Sequence, residues 1–193
     1  MSWQTELSSW MFPSYLATSD PPAVGSKAPS SPQFVMPATD GKPTIVTFLR
    51  HCGCPFAEKT YLSLRAAASQ HPDVHCIAIS HSDAPSTDRW LQSLSDSSQD
   101  SAVNMVVDDE RRIYAAWGLG VSSFWHVLNP WSLYSVYALG KQDNIWNRPT
   151  ESGTRWQSAG SFAVAGDGTV KWSKPNVSAD DVPDFEEALK ALG

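Results

Sequence analysis

The run Thr44-Ile45-Val46-Thr47-Phe48-Leu49 constrains this chain more than any other stretch. An unbroken series of β-branched and apolar residues reads as a strand buried on both faces, and such a strand needs packed layers on either side. It runs directly into Arg50-His51-Cys52-Gly53-Cys54-Pro55. Beyond Pro55 the residues Phe56, Tyr61, Leu62 and Leu64 and a triple alanine predict a helix that stops near His71-Pro72. Proline suits a first helical turn, where its missing N–H is no loss, so Cys54 is expected at or beside the N-cap.

The pattern then repeats. Val74 to Ser80 predicts a second strand, Ser86 through Trp90, Leu91 and Leu94 a helix, Val103 to Val107 a third strand, and Asp108 to Trp117 another helix. Strands alternating with helices predict an α/β fold with a mainly parallel core. Ser161 to Ala165 and Thr169 to Trp172, around Gly166-Asp167-Gly168, read as a hairpin, and Asp180 to Leu192 as a closing helix with acidic residues at its positive end. Residues 1–23, with Trp3, Trp10, Met11 and Phe12, read as an N-terminal arm with one short helix that docks on the body or on a partner. Residues 24–193 read as one domain, with an aromatic-rich helical insertion at about 119–155.

Composition narrows the function. At 193 residues the chain fits one decorated domain. Its 14 basic against 20 acidic residues give a net charge of −6, so no basic face is expected for nucleic acid. Ile113 to Gly140 holds no Asp, Glu, Lys or Arg, but glycines, Asn129 and Pro130 interrupt it, and no membrane span is expected. Within it, a helix opened by Asn129-Pro130 and closed by Gly140 is apolar on nearly every face and should be covered on several sides. The aromatics of this part of the chain, Phe124, Trp125, Trp131, Tyr134, Tyr137 and Trp146, can serve as extra core, as a homodimer or membrane-surface contact, or as the wall of an apolar substrate pocket. Three cysteines make no disulfide framework, and Met1-Ser2-Trp3-Gln4 lacks the blocks of a signal peptide, which points to a reducing cytoplasm.

A cysteine between a buried strand and a helix is chemically distinctive. Free backbone N–H groups and the helix dipole favour a thiolate, which makes Cys54 the candidate nucleophile. Arg50, His51 and Lys59 are candidates to add positive potential. His51 either shuttles a proton or caps or solvates the strand end. Cys52, two residues earlier, can close only a small strained ring with Cys54, which would be labile and oxidising, with Gly53 letting the backbone bend. Two cysteines packed as small apolar residues is the plain alternative. Cys76, inside a strand, reads as inert core, His81 as a solvated loop residue, and His126 as a core or interface residue. No metal site is expected, because no second ligand pair has the right spacing.

Several segments together resemble the peroxiredoxin, or AhpC/TSA (thiol-specific antioxidant), superfamily: Val24-Gly25-Ser26-Lys27-Ala28-Pro29, Asp40-Gly41-Lys42, the strand into Cys54-Pro55, and Val107-Asp108 with Tyr114-Ala115-Ala116-Trp117-Gly118. Trp156 to Phe162 followed by Gly166-Asp167-Gly168-Thr169-Val170 is similar to the peroxiredoxin-like 2 branch. The resemblance implies a thioredoxin-like fold, a central mixed sheet flanked by helices, and a reactive cysteine at Cys54. Where such proteins carry a proline and a threonine seven and three residues before that cysteine, this chain has Thr47 and His51. Ala57 stands where the branch carries a second cysteine, and Cys52 can replace it. Arg155 is the analogue of the arginine that supports the thiolate, and Gly160-Ser161 occupies the place of the thioredoxin cis-proline.

The chain therefore reads as a cytoplasmic thiol-dependent oxidoreductase with Cys54, Cys52, His51 and Arg50 as catalytic candidates. Pro55, Phe56, Trp125, Trp131, Arg155, Gly160 and Ser161 are the substrate-binding candidates. The substrate is a peroxide or a small thiol or disulfide. No bound cofactor is expected, only an external thiol such as thioredoxin or glutathione. Alternatives are a tailoring enzyme of specialised metabolism, by glutathione-dependent lyase or transferase chemistry or by disulfide chemistry, and a non-catalytic thioredoxin-fold binding module.

Overall fold

The computed structural model describes residues 3–11, 13–94, 102–123 and 130–193. Trp125, Phe124, His126 and Asn129 lie outside the described residues. Five strands form one mixed sheet: β1 (Thr44–Phe48), β2 (His75–Ser80), β3 (Val103–Val107), β4 (Gly160–Val164) and β5 (Val170–Pro175), in the order β3-β2-β1-β4-β5. β1, β2 and β3 run parallel, whereas β4 is antiparallel to β1 and β5 to β4.

β1 is central and buried along its whole length. Alternation sends Ile45 to one apolar cluster and Val46 and Phe48 to the other. The first cluster lies under α2 (Pro55–Gln70), α3 (Ala84–Ser93) and α6 (Phe185–Leu192), contributing Leu64, Trp90, Phe185 and Ala188. The second lies under α4 (Arg112–Ala116) and includes Ile113, Tyr114, Trp117 and Phe162. Tyr114, fully buried, places its hydroxyl 2.7 Å from the carbonyls of both Leu49 and Ile79. That contact fastens the carboxyl ends of β1 and β2 together, directly before the cysteine turn.

Several boundaries differ from the sequence expectation for identifiable reasons. α4 begins at Arg112 rather than Asp108, because Arg111 has φ 59 and cannot be helical. Asp108 instead caps the helix, Oδ1 accepting from Arg112 N (3.0 Å) and Oδ2 from Ile113 N (2.7 Å) and Tyr114 N (3.0 Å). α6 starts at Phe185 behind its cap Asp184, while Asp181 accepts from Val177 N at 3.1 Å. α5 (Pro130–Asp143) passes through Gly140 instead of ending there. A Cβ at Gly140 would come 2.5 Å from the Trp146 ring, so this glycine serves a close contact rather than a stop.

The expectation that this helix is covered on several sides is also corrected. Val136 and Leu139 pack on the first cluster, but Trp131, Tyr134 and Tyr137 are 79%, 66% and 56% exposed. Cover reaches one face, and the aromatic face looks outward. Among the described residues no helix is long and apolar enough to cross a membrane.

α1 (Trp3–Ser9) docks on the body through Arg155. The Arg155 guanidinium pairs with Glu6, donates to Ser9 Oγ (3.1 Å) and Thr150 Oγ1 (2.9 Å), and stacks over Trp10. The Trp156 indole N–H donates to the Trp10 carbonyl at 2.9 Å.

Candidate active site

The turn Cys52-Gly53-Cys54 joins the carboxyl end of the central strand to the start of α2. Cys54 is the N-cap, extended at φ −74 and ψ 127, with Pro55 in the first turn. Its N–H donates to the His51 carbonyl (3.1 Å) and its carbonyl accepts from Glu58 N (3.2 Å). Its sulfur makes no capping hydrogen bond. Cys54 is 6% exposed and belongs to the apolar cluster with Leu49, Phe56 and Tyr61. All three cysteines are free thiols.

Cys52, 4% exposed and in the same apolar cluster, also meets polar groups. Its N–H donates to Ser82 Oγ (3.1 Å), and its sulfur lies 3.6 Å from Ser80 Oγ and 3.8 Å from Thr87 Oγ1. Burial pushes the Cys52 thiol pKa up, against the hydrogen bonds of Ser82, Ser80 and Thr87. Cys76 is pushed up to about 11 by burial alone, as suits an inert core thiol.

Gly53 holds the turn open between them. It has φ +104, and a Cβ there would come 2.9 Å from the Pro149 carbonyl oxygen and 3.0 Å from that of Arg148. Its own carbonyl accepts from Arg148 N at 2.9 Å. Arg148 in turn grips α2, donating through Nε to Glu58 Oε2 (3.0 Å) and through Nη2 to Glu58 Oε1 (3.1 Å). Between this segment and α3 lies a cleft of about 330 Å³, lined by Cys52, Gly53, Trp90 and Pro149 together with Arg89, Arg148 and Glu151. Cys54 is not among the described residues that line it.

The sequence candidates separate on this geometry. Arg50 and His51 are 5% and 2% exposed and turn into the body. Arg50 Nη2 donates to the Arg155 carbonyl (2.9 Å), while its Nε and Nη1 and both His51 ring nitrogens meet no hydrogen-bond partner among the described residues. Burial, then the charges of Arg50, Arg155 and His81, hold His51 well below the usual histidine range. A sealed, neutral imidazole with no partner at either ring nitrogen among the described residues neither caps nor solvates the strand end and has no partner for a proton shuttle, which corrects these expectations for His51. His81 is also buried rather than solvated, its Nε2 3.0 Å from the Thr154 carbonyl and its pKa lowered to about 4, chiefly by burial.

The contacts of Arg155 are with the N-terminal arm and Thr150, not with either sulfur, so its role as thiolate support is corrected to that of an arm anchor. Lys59 pairs with Asp143 at 2.9 Å. Pro55 and Phe56 are buried in α2. Gly160 pairs with Phe48, and Ser161 Oγ donates to Thr47 Oγ1 at 3.3 Å. None of Pro55, Phe56, Gly160, Ser161 or Trp131 lines the cleft. Sequence reasoning missed Trp90, Arg89 and Arg148. The signals present were the amphipathic spacing of α3 and a lone arginine in the Asn147-Arg148-Pro149 segment, neither of which says what it faces.

Comparison with known proteins agrees with the fold. The family described as AhpC/TSA antioxidant enzyme matches residues 62–177, a span that begins after the cysteine turn. No curated protein matches. Among solved structures, a peroxiredoxin-like protein from Aquifex aeolicus is similar over 92% of this chain and 90% of its own, with a TM-score of 0.60 and 13% identity. A thiol peroxidase from Chromobacterium violaceum covers 91% and 89% with a TM-score of 0.53 and 15% identity. Peroxiredoxin 6 of Arenicola marina covers 86% and 70% with a TM-score of 0.59 and 14% identity. At these identities the structures share the thioredoxin-like architecture alone. With the family match over most of its length, this chain belongs to the AhpC/TSA antioxidant enzymes, thiol-dependent oxidoreductases of peroxiredoxin-like fold.

Proposed function

We propose that the protein cycles Cys54 and Cys52 between dithiol and disulfide while it reduces a peroxide or a small organic disulfide. It works in the cytoplasm without a bound cofactor, and an external thiol such as thioredoxin or glutathione restores the pair. The observation that carries this reading is two free cysteines on either side of a left-handed glycine, between the central strand and a sixteen-residue helix. A helix N-terminus favours negative charge, so Cys54 is the sulfur that attacks. With a peroxide, the O–O bond breaks, an alcohol or water leaves, and Cys54 becomes a sulfenic acid. Cys52 then attacks the Cys54 sulfur, water departs, and the disulfide closes. No hydroxyl stands at position 51 to orient a peroxide, which supports organic disulfide chemistry beside peroxide reduction.

Intact mass after one equivalent of peroxide tests the cycle. Wild type is expected to lose two hydrogens, and Cys52→Ser to gain one oxygen. Unchanged mass in both would end the proposal. A second reading, a thioredoxin-fold binding module or homodimer, is favoured by the exposed Trp131, Tyr134 and Tyr137 and by the burial of Cys54. Alkylation of native protein by iodoacetamide separates the two. Labelling at a rate no greater than that of an unactivated thiol would favour the binding module.

A further inference from the structure

We propose that the cleft between α3 and residues 148–151 is the docking site for a small carboxylate-bearing thiol, which reduces the oxidised Cys52–Cys54 pair by attacking the Cys52 sulfur. This rests on the redox pairing above and specifies which sulfur borders the cleft and what kind of molecule reaches it.

Three observations carry it. The first is access: both cysteines are buried in the apolar cluster beneath α2, at 4% and 6% exposed, but of the two only Cys52, with Gly53, is among the described residues that line the cleft. The second is size. About 330 Å³ falls at the lower end of small-molecule sites, about 300–1,000 Å³, far larger than a peroxide requires. Trp90, Pro149 and the glycine give it apolar walls.

The third is charge. Of the two arginines that line the cleft, Arg148 is fully engaged: Nε and Nη2 donate to Glu58, and Nη1 donates to Ser93 Oγ (2.7 Å). Arg89 donates through Nε to Glu151 Oε2 (2.6 Å) and through Nη2 to Ser86 Oγ (3.1 Å), Nη2 also lies 2.6 Å from Glu151 Oε2, and its Nη1 meets no partner among the described residues. Its side chain is 57% exposed. A guanidinium with donors to spare recognises a carboxylate well, and the neighbouring Glu151 can accept from an ammonium group. An amino-acid-like thiol matches that rim.

The direction of attack follows from the leaving group. A thiolate arriving through the cleft forms a bond to Cys52 Sγ. The Cys52–Cys54 bond breaks, and its electron pair departs on Cys54, at the positive end of α2. Attack on Cys54 would instead expel Cys52, whose thiolate burial disfavours. A second thiol molecule then attacks the reductant-derived sulfur of the mixed disulfide and releases Cys52. Two thiols become one disulfide, and their two electrons and two protons end on the two cysteines.

The test begins with protein oxidised to the Cys52–Cys54 disulfide and desalted. Its reduction by 3-mercaptopropionate is compared with that by 2-mercaptoethanol at equal thiolate concentration, each normalised to the same thiol acting on a linear disulfide. A preference of about tenfold for the carboxylate is expected, the factor for one charge-assisted hydrogen bond. Arg89→Gln should remove most of that preference and Arg89→Lys retain part of it. In parallel, Cys54→Ser and Cys52→Ser are treated with 3,3′-dithiodipropionate and with the neutral bis(2-hydroxyethyl) disulfide and weighed, with circular dichroism to confirm folding. The ratio of adduct rates, charged over neutral, cancels the reactivity of each thiolate and should be at least about tenfold higher on the protein that keeps Cys52 than on the one that keeps Cys54.

Absence of any carboxylate preference, or a charged-to-neutral ratio at Cys54 as high as that at Cys52, overturns the cleft assignment even where wild type loses its two hydrogens normally. Failure to lose two hydrogens, with adducts still forming at Cys52, overturns the pairing alone and leaves the cleft as the thiol's site.

Discussion

Two groups of cations flank the cysteine turn, and they are built on opposite principles. Upstream in sequence, Arg50 and His51 turn inward beside His81 and Arg155, where the carboxylate that meets the group is Glu6, held by Arg155. Across the turn, Arg89 and Arg148 come from distant segments, stand half-exposed, and each has a carboxylate of its own. Charges next to the thiols in sequence are thus turned away from them in space, and charges far away in sequence line the cleft over Cys52. Adjacency along a chain says little about which field a sulfur feels. The side on which the backbone leaves the strand decides it.

Gly53 is the hinge between the two groups, so its replacement should have the largest effect. Gly53→Ala places a Cβ against two backbone carbonyl oxygens at a φ that L-residues rarely adopt. A destabilisation of about 2–4 kcal/mol is expected by chemical denaturation, together with loss of disulfide closure on oxidation. A variant with unchanged stability and normal closure would mean that the two sides are not separated by this turn.

Acid should act on the inward group alone. His81, with its pKa lowered to about 4, and His51, held well below the usual histidine range by burial, bind protons in the unfolded chain at a pH where the folded chain refuses them. Stability therefore rises with pH in that window. It is complete above about 6.5 and falls as pH drops from 6.5 toward 4, by about tenfold in the folding equilibrium per unit for each group. His81→Gln should flatten the slope of a pH series of denaturation midpoints. A slope unchanged by that substitution would place the proton uptake elsewhere.

How much of this was legible depends on whether a feature is local. β1 and α2 were readable because the β-branched run, the Cys-Pro junction and the His71-Pro72 stop are all determined by near neighbours. The N-cap position of Cys54 followed from the same neighbours. The inward turn of His51 was not readable, since nothing at Arg50-His51 says which side of the sheet the chain will take. Nor was the cleft, whose walls come from α3 and from residues 148–151. The exposed face of α5 misled for a related reason. Periodicity marks which residues are apolar, whereas cover depends on partners that the helix itself does not encode.

The outward group is best sharpened at Glu58, whose side chain is 9% exposed and accepts both arms of the Arg148 fork. Glu58→Gln keeps the shape and one acceptor while removing the charge, and leaves Arg148 without its counter-ion. A cost of about 1–2 kcal/mol is expected, smaller than at Gly53 because Arg148 is 37% exposed and water can recover part of the loss. The more telling readout is at the sulfur. Arg148 N holds the Gly53 carbonyl and its side chain holds α2, so loosening one end should loosen the other. Alkylation of Cys52 by iodoacetamide should then quicken several-fold while the acid-dependent slope stays as in wild type. Equal rates would show that the backbone contact alone secures the turn, and an altered slope would show that the two cation groups are coupled after all.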